Sequence, residues 1–150
     1  MLPHFLKESQ QRWYVAGYDS DGCLKTFGLD RISDVRVLYD EKFKRRDDLD
    51  IRGLFDYSFG IWNNPNDPVE EIILKYDALD GSFVKTLPLH SSQEIISDTE
   101  KGLVIRLRLR ITNDFVMALL ARSRSVEVVS PLHLRQRLRD VYAAALERNR

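Results

Sequence analysis

Residues 12–18 read Arg-Trp-Tyr-Val-Ala-Gly-Tyr and residues 24–30 read Leu-Lys-Thr-Phe-Gly-Leu-Asp, with Asp19-Ser20-Asp21-Gly22-Cys23 between them. Two runs rich in aromatic and β-branched side chains, on either side of a cluster of turn formers, specify a β-hairpin. A third run, Val35 to Tyr39, follows closely and is expected to extend the hairpin into a small antiparallel meander. Strand alternation puts Lys25, Phe27, Leu29 and Arg31 on one face of the second run. In the first run Tyr14 alternates with Arg12, Ala16 and Tyr18, opposite Trp13 and Val15.

Working outward, charges crowd between Lys42 and Asp50, and the amphipathic stretch Ile51 to Ile61 predicts a short helix. Asn63-Asn64-Pro65-Asn66-Asp67-Pro68 has no apolar residue, and its prolines restrict the residues before them. Residues 63–68 are therefore expected to link a first domain, 1–62, to a second, 69–150. In the second, Val69 to Tyr76 suits a strand and Gly81 to Leu87 a short helix, with Asp80 as its cap and Pro88 as its stop. Strands at Glu94 to Ser97 and Leu103 to Ile111 flank a turn at Asp98 to Gly102. A helix capped by Thr112 or Asn113 runs to Arg122, and Ser125 to Val129 makes a short strand. The final helix opens with Ser130 as cap and Pro131 in the first helical position, where its missing donor costs nothing. Leu134, Leu138, Val141, Tyr142 and Ala145 share one face of it. The order βαββαβ plus a terminal helix predicts a ferredoxin-like sheet, so the fold class is α+β.

The 150 residues are 43% hydrophobic, enough for a real core, and 23 basic side chains balance 23 acidic ones. No global positive field draws the molecule to nucleic acid, so any anion site is local. Cys23 is the only cysteine, which excludes an internal disulfide and a Cys-rich zinc site and fits a reducing compartment, the cytoplasm. No apolar run nears the roughly 20 residues that span a bilayer, and the first residues lack the order of a signal peptide. His4, His90 and His133 lie far apart with no metal-ligand spacing, and no Gly-rich phosphate loop is present. Asp19 and Asp21 read as turn formers rather than calcium ligands, and Cys23 as an unreactive thiol. No cofactor and no enzymatic activity are expected.

The segment Arg12 to Tyr18 followed by Lys25-Thr26-Phe27-Gly28-Leu29-Asp30-Arg31-Ile32 resembles the hallmark hairpin of the WYL domain. That pattern is a W-Y-L triplet, a turn, and then R-x-F-x-L-D-R-I. Pro3 to Glu8 resembles the family's lead-in, and Ser58-Phe59-Gly60-Ile61 its exit. Residues 69–150 resemble the C-terminal extension called WCX, mainly by element order. Val15 stands where the triplet has Leu, Lys25 where the pattern has Arg, and Gly28 where an Arg is frequent.

The resemblance implies an Sm-like or SH3-like β-barrel followed by the extension. It also implies a bacterial transcriptional regulator whose two domains dimerise and sense a ligand, in some members single-stranded nucleic acid. The sequence opens at the lead-in, so the barrel is expected to be partial. The helix-turn-helix head that members carry is expected to be missing, with no operator binding by this chain alone. The contrasting expectation is a purely structural fragment that completes a protein–protein interface and takes no ligand.

Six residues are candidates for contact with an anionic ligand. Arg31 suits a bidentate pair with a phosphate or carboxylate, or equally an ion pair with Asp30 or Asp34 that fixes the strand end. Lys25 is a weaker candidate, because a lone strand lysine is usually a solvated charge. Tyr14 offers a ring and a hydroxyl to a ligand, with Trp13 packing inside. Arg106, Arg108 and Arg110 alternate with Leu103, Ile105, Leu107, Leu109 and Ile111, making a basic ladder with steps of roughly 6.5 Å. The competing reading of that ladder, favoured by the neutral overall charge, is a solvated face paired with Glu71, Glu94 or Glu127.

Overall fold

The structure, a computed structural model, describes residues 2–19, 21–37, 39, 40, 42, 53–64 and 66–150. It divides into two compact units, Met1–Phe55 and Asp56–Arg150. In the first unit, strands β1 (Leu2–Ser9), β2 (Arg12–Tyr18) and β3 (Leu24–Gly28) form an antiparallel sheet in the order β1-β2-β3. The hairpin of β2 and β3 is the one the sequence specifies. The third strand is not: Val35, Arg36 and Val37 have no regular structure, and the meander is completed by the lead-in as β1. The sequence hides β1 because its turn to β2 is Gln10-Gln11, both at positive φ (50° and 62°), a geometry that usually calls for Asn or Gly. No closed barrel forms among the described residues.

Most of the charged stretch at 42–50 and the start of the helix expected at 51–61 lie outside the described residues. From residue 53 onward the regular piece is a single 3-10 turn, Gly53–Phe55, in place of a helix. Phe55 packs edge-on against Phe5 at 5.7 Å between ring centres, and the Lys7 amine lies 5.0 Å from the centre of the same ring.

The second unit has the order the alternating periods predict: β4 (Val69–Tyr76), α1 (Ala78–Thr86), β5 (Glu94–Thr99), β6 (Gly102–Arg110), α2 (Asn113–Leu120), β7 (Glu127–Ser130), α3 (Leu132–Arg148). All neighbours in its sheet are antiparallel, in the order β5-β6-β4-β7, which is the ferredoxin-like arrangement. Strand β6 is central, and its alternation holds: Leu103, Ile105, Leu107 and Leu109 are at most 1% exposed. They join Ile72, Leu74 and Tyr76 of β4 and Val128 of β7 in a core closed by Val84, Phe115, Leu119 and Leu134. Phe59, ahead of β4, packs at a tilt against Phe115 with ring centres 5.4 Å apart, so residues following Asp56 pack with the second unit.

Two helix starts differ from expectation, and that of α2 falls where expected. Helix α1 begins at Ala78, capped by Asp77, whose carboxylate accepts from the Asp80 amide at 2.8 Å. Asp80 is thus inside the helix and free for another role. Thr112 holds the cap position of α2, but its hydroxyl donates to the Asp114 carboxylate instead of accepting a backbone bond. Helix α3 begins at Leu132 with Pro131 at the cap position, and Ser130 ends β7 without capping anything. Of the face expected on α3, Leu134 and Leu138 are buried, whereas Val141 and Tyr142 are each 36% exposed. Arg135 donates to the carbonyls of Val128 and Val129, both at 2.6 Å, occupying carbonyls of the edge strand β7.

Candidate anion-binding face

In the first unit the register pairs Tyr14 with Lys7 on one side and with Gly28 on the other. Directly paired residues share a face, so Lys7, Arg12, Tyr14 and Gly28 line one side of the sheet. Strand β3 ends at Gly28, and a 3-10 turn, Leu29–Arg31, breaks the two-residue alternation. That turn brings the Arg31 side chain back over Gly28. A Cβ on Gly28 would stand 2.6 Å from Asp30 Oδ1, 3.2 Å from Arg31 Nε and 3.3 Å from Arg31 Nη2. The bare glycine is what lets a carboxylate and a guanidinium lie this close to the strand. Arg31 and Tyr14 therefore flank the same glycine.

Arg31 is not tied up by its acidic neighbours. Asp30 pairs with Arg12 at 3.5 Å, and no ion pair of Arg31 within 4.0 Å is found among the described residues. Lys25 is different on both counts. It pairs with Gly17 in the ladder and so lies on the opposite face from Tyr14. Its amine sits 3.6 Å from Asp19, whose carboxylate also accepts from the amides of Cys23 (2.9 Å) and Asp21 (3.0 Å). Those bonds, the Cys23 amide foremost, hold the Asp19 carboxyl below its ordinary range. Lys25 thus braces the hairpin loop. Its face carries the row Leu6, Val15 and Phe27, with Trp13 beside it; Leu6, Trp13 and Phe27 are 57%, 51% and 47% exposed.

In the second unit the three ladder arginines share the sheet face away from the core, but they differ in what surrounds them. Arg106 stands between Glu71 of β4 (3.4 Å) and Glu94 of β5 (3.3 Å). Arg110 donates to the Asp67 carbonyl at 3.1 Å and lies 5.9 Å from the centre of the Tyr57 ring. Arg108, opposite Glu71 in the ladder, is exposed and has no ion pair within 4.0 Å among the described residues. Lys75 and Glu127 make a further cross-strand pair at 3.6 Å. One free guanidinium among matched charges is a weak attractor for a polyanion.

The deepest charge of the second unit is Asp80. Its carboxylate accepts from Ser125 Oγ and from Arg122 Nη1 at 3.1 Å, with Arg124 Nη2 also at 3.1 Å, while Arg124 reaches Asp77 at 3.2 Å. The Ser125 bond and then the two guanidiniums hold the Asp80 carboxyl below its ordinary range. Beside them, burial pushes the Tyr76 hydroxyl well above the usual phenol range. This cluster ties the α2–β7 loop to α1. No group of three His, Cys, Asp or Glu side chains arranged for a metal ion occurs among the described residues, and no helix there is long and apolar enough to cross a membrane.

Against known families, the model of the WCX domain matches residues 68–146, more than half of the chain. The chain belongs to the WCX domain family. The WYL domain model matches residues 1–37, a span that holds β1, β2, β3 and Arg31. The match to the WYL domain model therefore precedes the match to the WCX domain model and covers the hairpin residues that resemble it. Among solved structures, the proteasome accessory factor B/C (PafBC) of Arthrobacter aurescens is similar, at 23% identity over 91% of this chain. The chain spans 20% of that protein's length, and the TM-score is 0.34, too low for finer comparison. No curated protein matches.

Two members of the WYL face are absent from the sequence-derived candidates. Lys7 is hidden with β1 itself, since no strand is legible there. Arg12 shares Tyr14's alternation, so its face is readable, but its link to the 3-10 turn through Asp30 depends on folding.

Proposed function

We propose that this chain is the ligand-sensing and dimerising part of a cytoplasmic bacterial transcriptional regulator. Its ligand is an anion, single-stranded nucleic acid or a nucleotide, taken on the WYL face by Arg31 and Tyr14 with Lys7 alongside. The observation that carries this reading is the placement of the Arg31 guanidinium over Gly28, the ladder partner of Tyr14. A guanidinium with no ion pair among the described residues offers a bidentate fork to a phosphate, and the phenol ring beside it offers a surface to a base. Arg108 is a secondary contact at most, and Lys25, Arg106 and Arg110 serve the fold. No catalytic role is proposed. Ligand occupancy acts by favouring one placement of the two domains over others.

Fluorescence anisotropy with a labelled single-stranded oligothymidylate at low and moderate salt tests this. Binding that weakens with salt and falls about tenfold in Arg31→Ala is expected, the worth of one charge-assisted bidentate contact. Absence of binding at both salts contradicts it.

The half-exposed row of Leu6 and Phe27 with Trp13 favours a second reading, in which the opposite face of the same sheet meets a protein partner, a second copy in the dimer reading. Light scattering decides that: a strictly monomeric chain at micromolar concentration counts against it.

A further inference from the structure

The proposed anion face already holds an anion of its own. Asp30 extends one carboxylate oxygen, Oδ2, to within 3.5 Å of Arg12 Nη1. Its other oxygen would lie 2.6 Å from a Cβ placed on Gly28, against 3.2 Å and 3.3 Å for the Arg31 nitrogens. The carboxylate therefore lies against Gly28 next to the Arg12 guanidinium of β2, and the Arg31 guanidinium of the 3-10 turn approaches the same glycine. Asp30 neutralises the first guanidinium and stands beside the second without an ion pair within 4.0 Å. Arg12 and Asp30 have side chains 65% and 52% exposed, so the pair between them is weak and yields to a stronger anion. A phosphate brings more charge and more acceptor oxygens than a carboxylate.

We infer that Asp30 is a resident competitor on the WYL face, and that Arg12 is a further ligand-binding residue freed when an incoming phosphate displaces it. The inference rests on the Arg31 and Tyr14 reading above. Its consequence is selectivity: a weak monoanion gains nothing by replacing one carboxylate with another, whereas a phosphate-bearing ligand gains a second guanidinium.

The experiment compares wild type, Asp30→Asn, Arg12→Ala, the Asp30→Asn/Arg12→Ala double variant and Arg31→Ala. Each binds the labelled oligothymidylate over a salt series, with thermal melts to establish folding. Asparagine keeps the shape of Asp30 and removes its charge. Asp30→Asn is expected to bind about two- to fivefold more tightly, the size of one exposed charge pair. Adding Arg12→Ala to Asp30→Asn is expected to abolish that gain and lower the steepness of the salt dependence by about 0.7, the contribution of one phosphate contact on a single strand. If Arg31→Ala weakens binding but Asp30→Asn leaves it unchanged or weaker, the competitor inference is overturned and the Arg31 site stands. If neither wild type nor Asp30→Asn binds, both fall together.

Discussion

In the WCX unit Arg106 stands between Glu71 and Glu94, Lys75 opposite Glu127, and Asp80 among Ser125, Arg122 and Arg124. In the WYL unit Arg31 lies over a glycine with no ion pair among the described residues, and three large apolar side chains of the opposite face are about half exposed. The WCX unit buries a shared core between its four strands and three helices and matches Arg106, Lys75 and Asp80 with neighbours, although Arg108 and apolar side chains such as Leu87 and Met117 stay exposed. The other, built on three strands, leaves unfilled the kinds of group that a ligand or partner fills. Proteins keep unsatisfied groups where they bind, because each missing internal partner is a place for an external one.

The largest expected effect separates the two cores. Leu107→Ala, at a position 0% exposed, is expected to cost about 2–5 kcal/mol in chemical denaturation. Leu6→Ala, at a position 57% exposed, is expected to cost about 0.5 kcal/mol or less. Comparable losses for both would break the contrast, and a Leu6→Ala cost that grows with protein concentration would sharpen it by revealing a covered face.

The next effect concerns acid. The folded-state pKa of Asp80 is depressed, so the stability it contributes is complete above the ordinary carboxylate range and is lost as pH falls through the depressed value. Unfolding midpoints measured down that range should fall more steeply in wild type than in Asp80→Asn. Identical slopes would mean that the cluster on α1 carries no linkage.

Smallest is the Arg106 ladder position. Its partners Glu71 and Glu94 are 56% and 64% exposed, so Arg106→Ala should change stability by about 1 kcal/mol or less, with any loss shrinking as salt is added. A loss of oligonucleotide binding in that variant, with stability intact, would shift the candidate site to the WCX sheet.

How far these features are legible without coordinates follows from what each depends on. The alternation of β6 is a local pattern read against one rule, and Leu103 to Leu109 are buried as that rule requires. The hairpin of β2 and β3 is equally local. Strand β1 is missed because its turn carries two glutamines at positive φ, which no composition rule marks. The start of α1 is misread because Asp77 and Asp80 are both acceptable caps, and what removes Asp80 from that role is Arg122, Ser125 and Arg124, more than forty residues away.

The site is harder still. Counting alternate residues puts Lys25 and Arg31 on one face, yet the register and the 3-10 turn send them to opposite ones. Whether an arginine is matched depends on what strand register and turns place beside it, which separates Arg31 of the 3-10 turn from Arg106 of β6 although the residue type is the same.

Amide NMR during titration with a single-stranded oligothymidylate tests the central claim, that the anion face belongs to the WYL sheet. Shifts centred on Tyr14, Gly28 and Arg31, with β6 unmoved, are the predicted result. Shifts confined to Arg106, Arg108 and Arg110, with the hairpin unchanged, would contradict it.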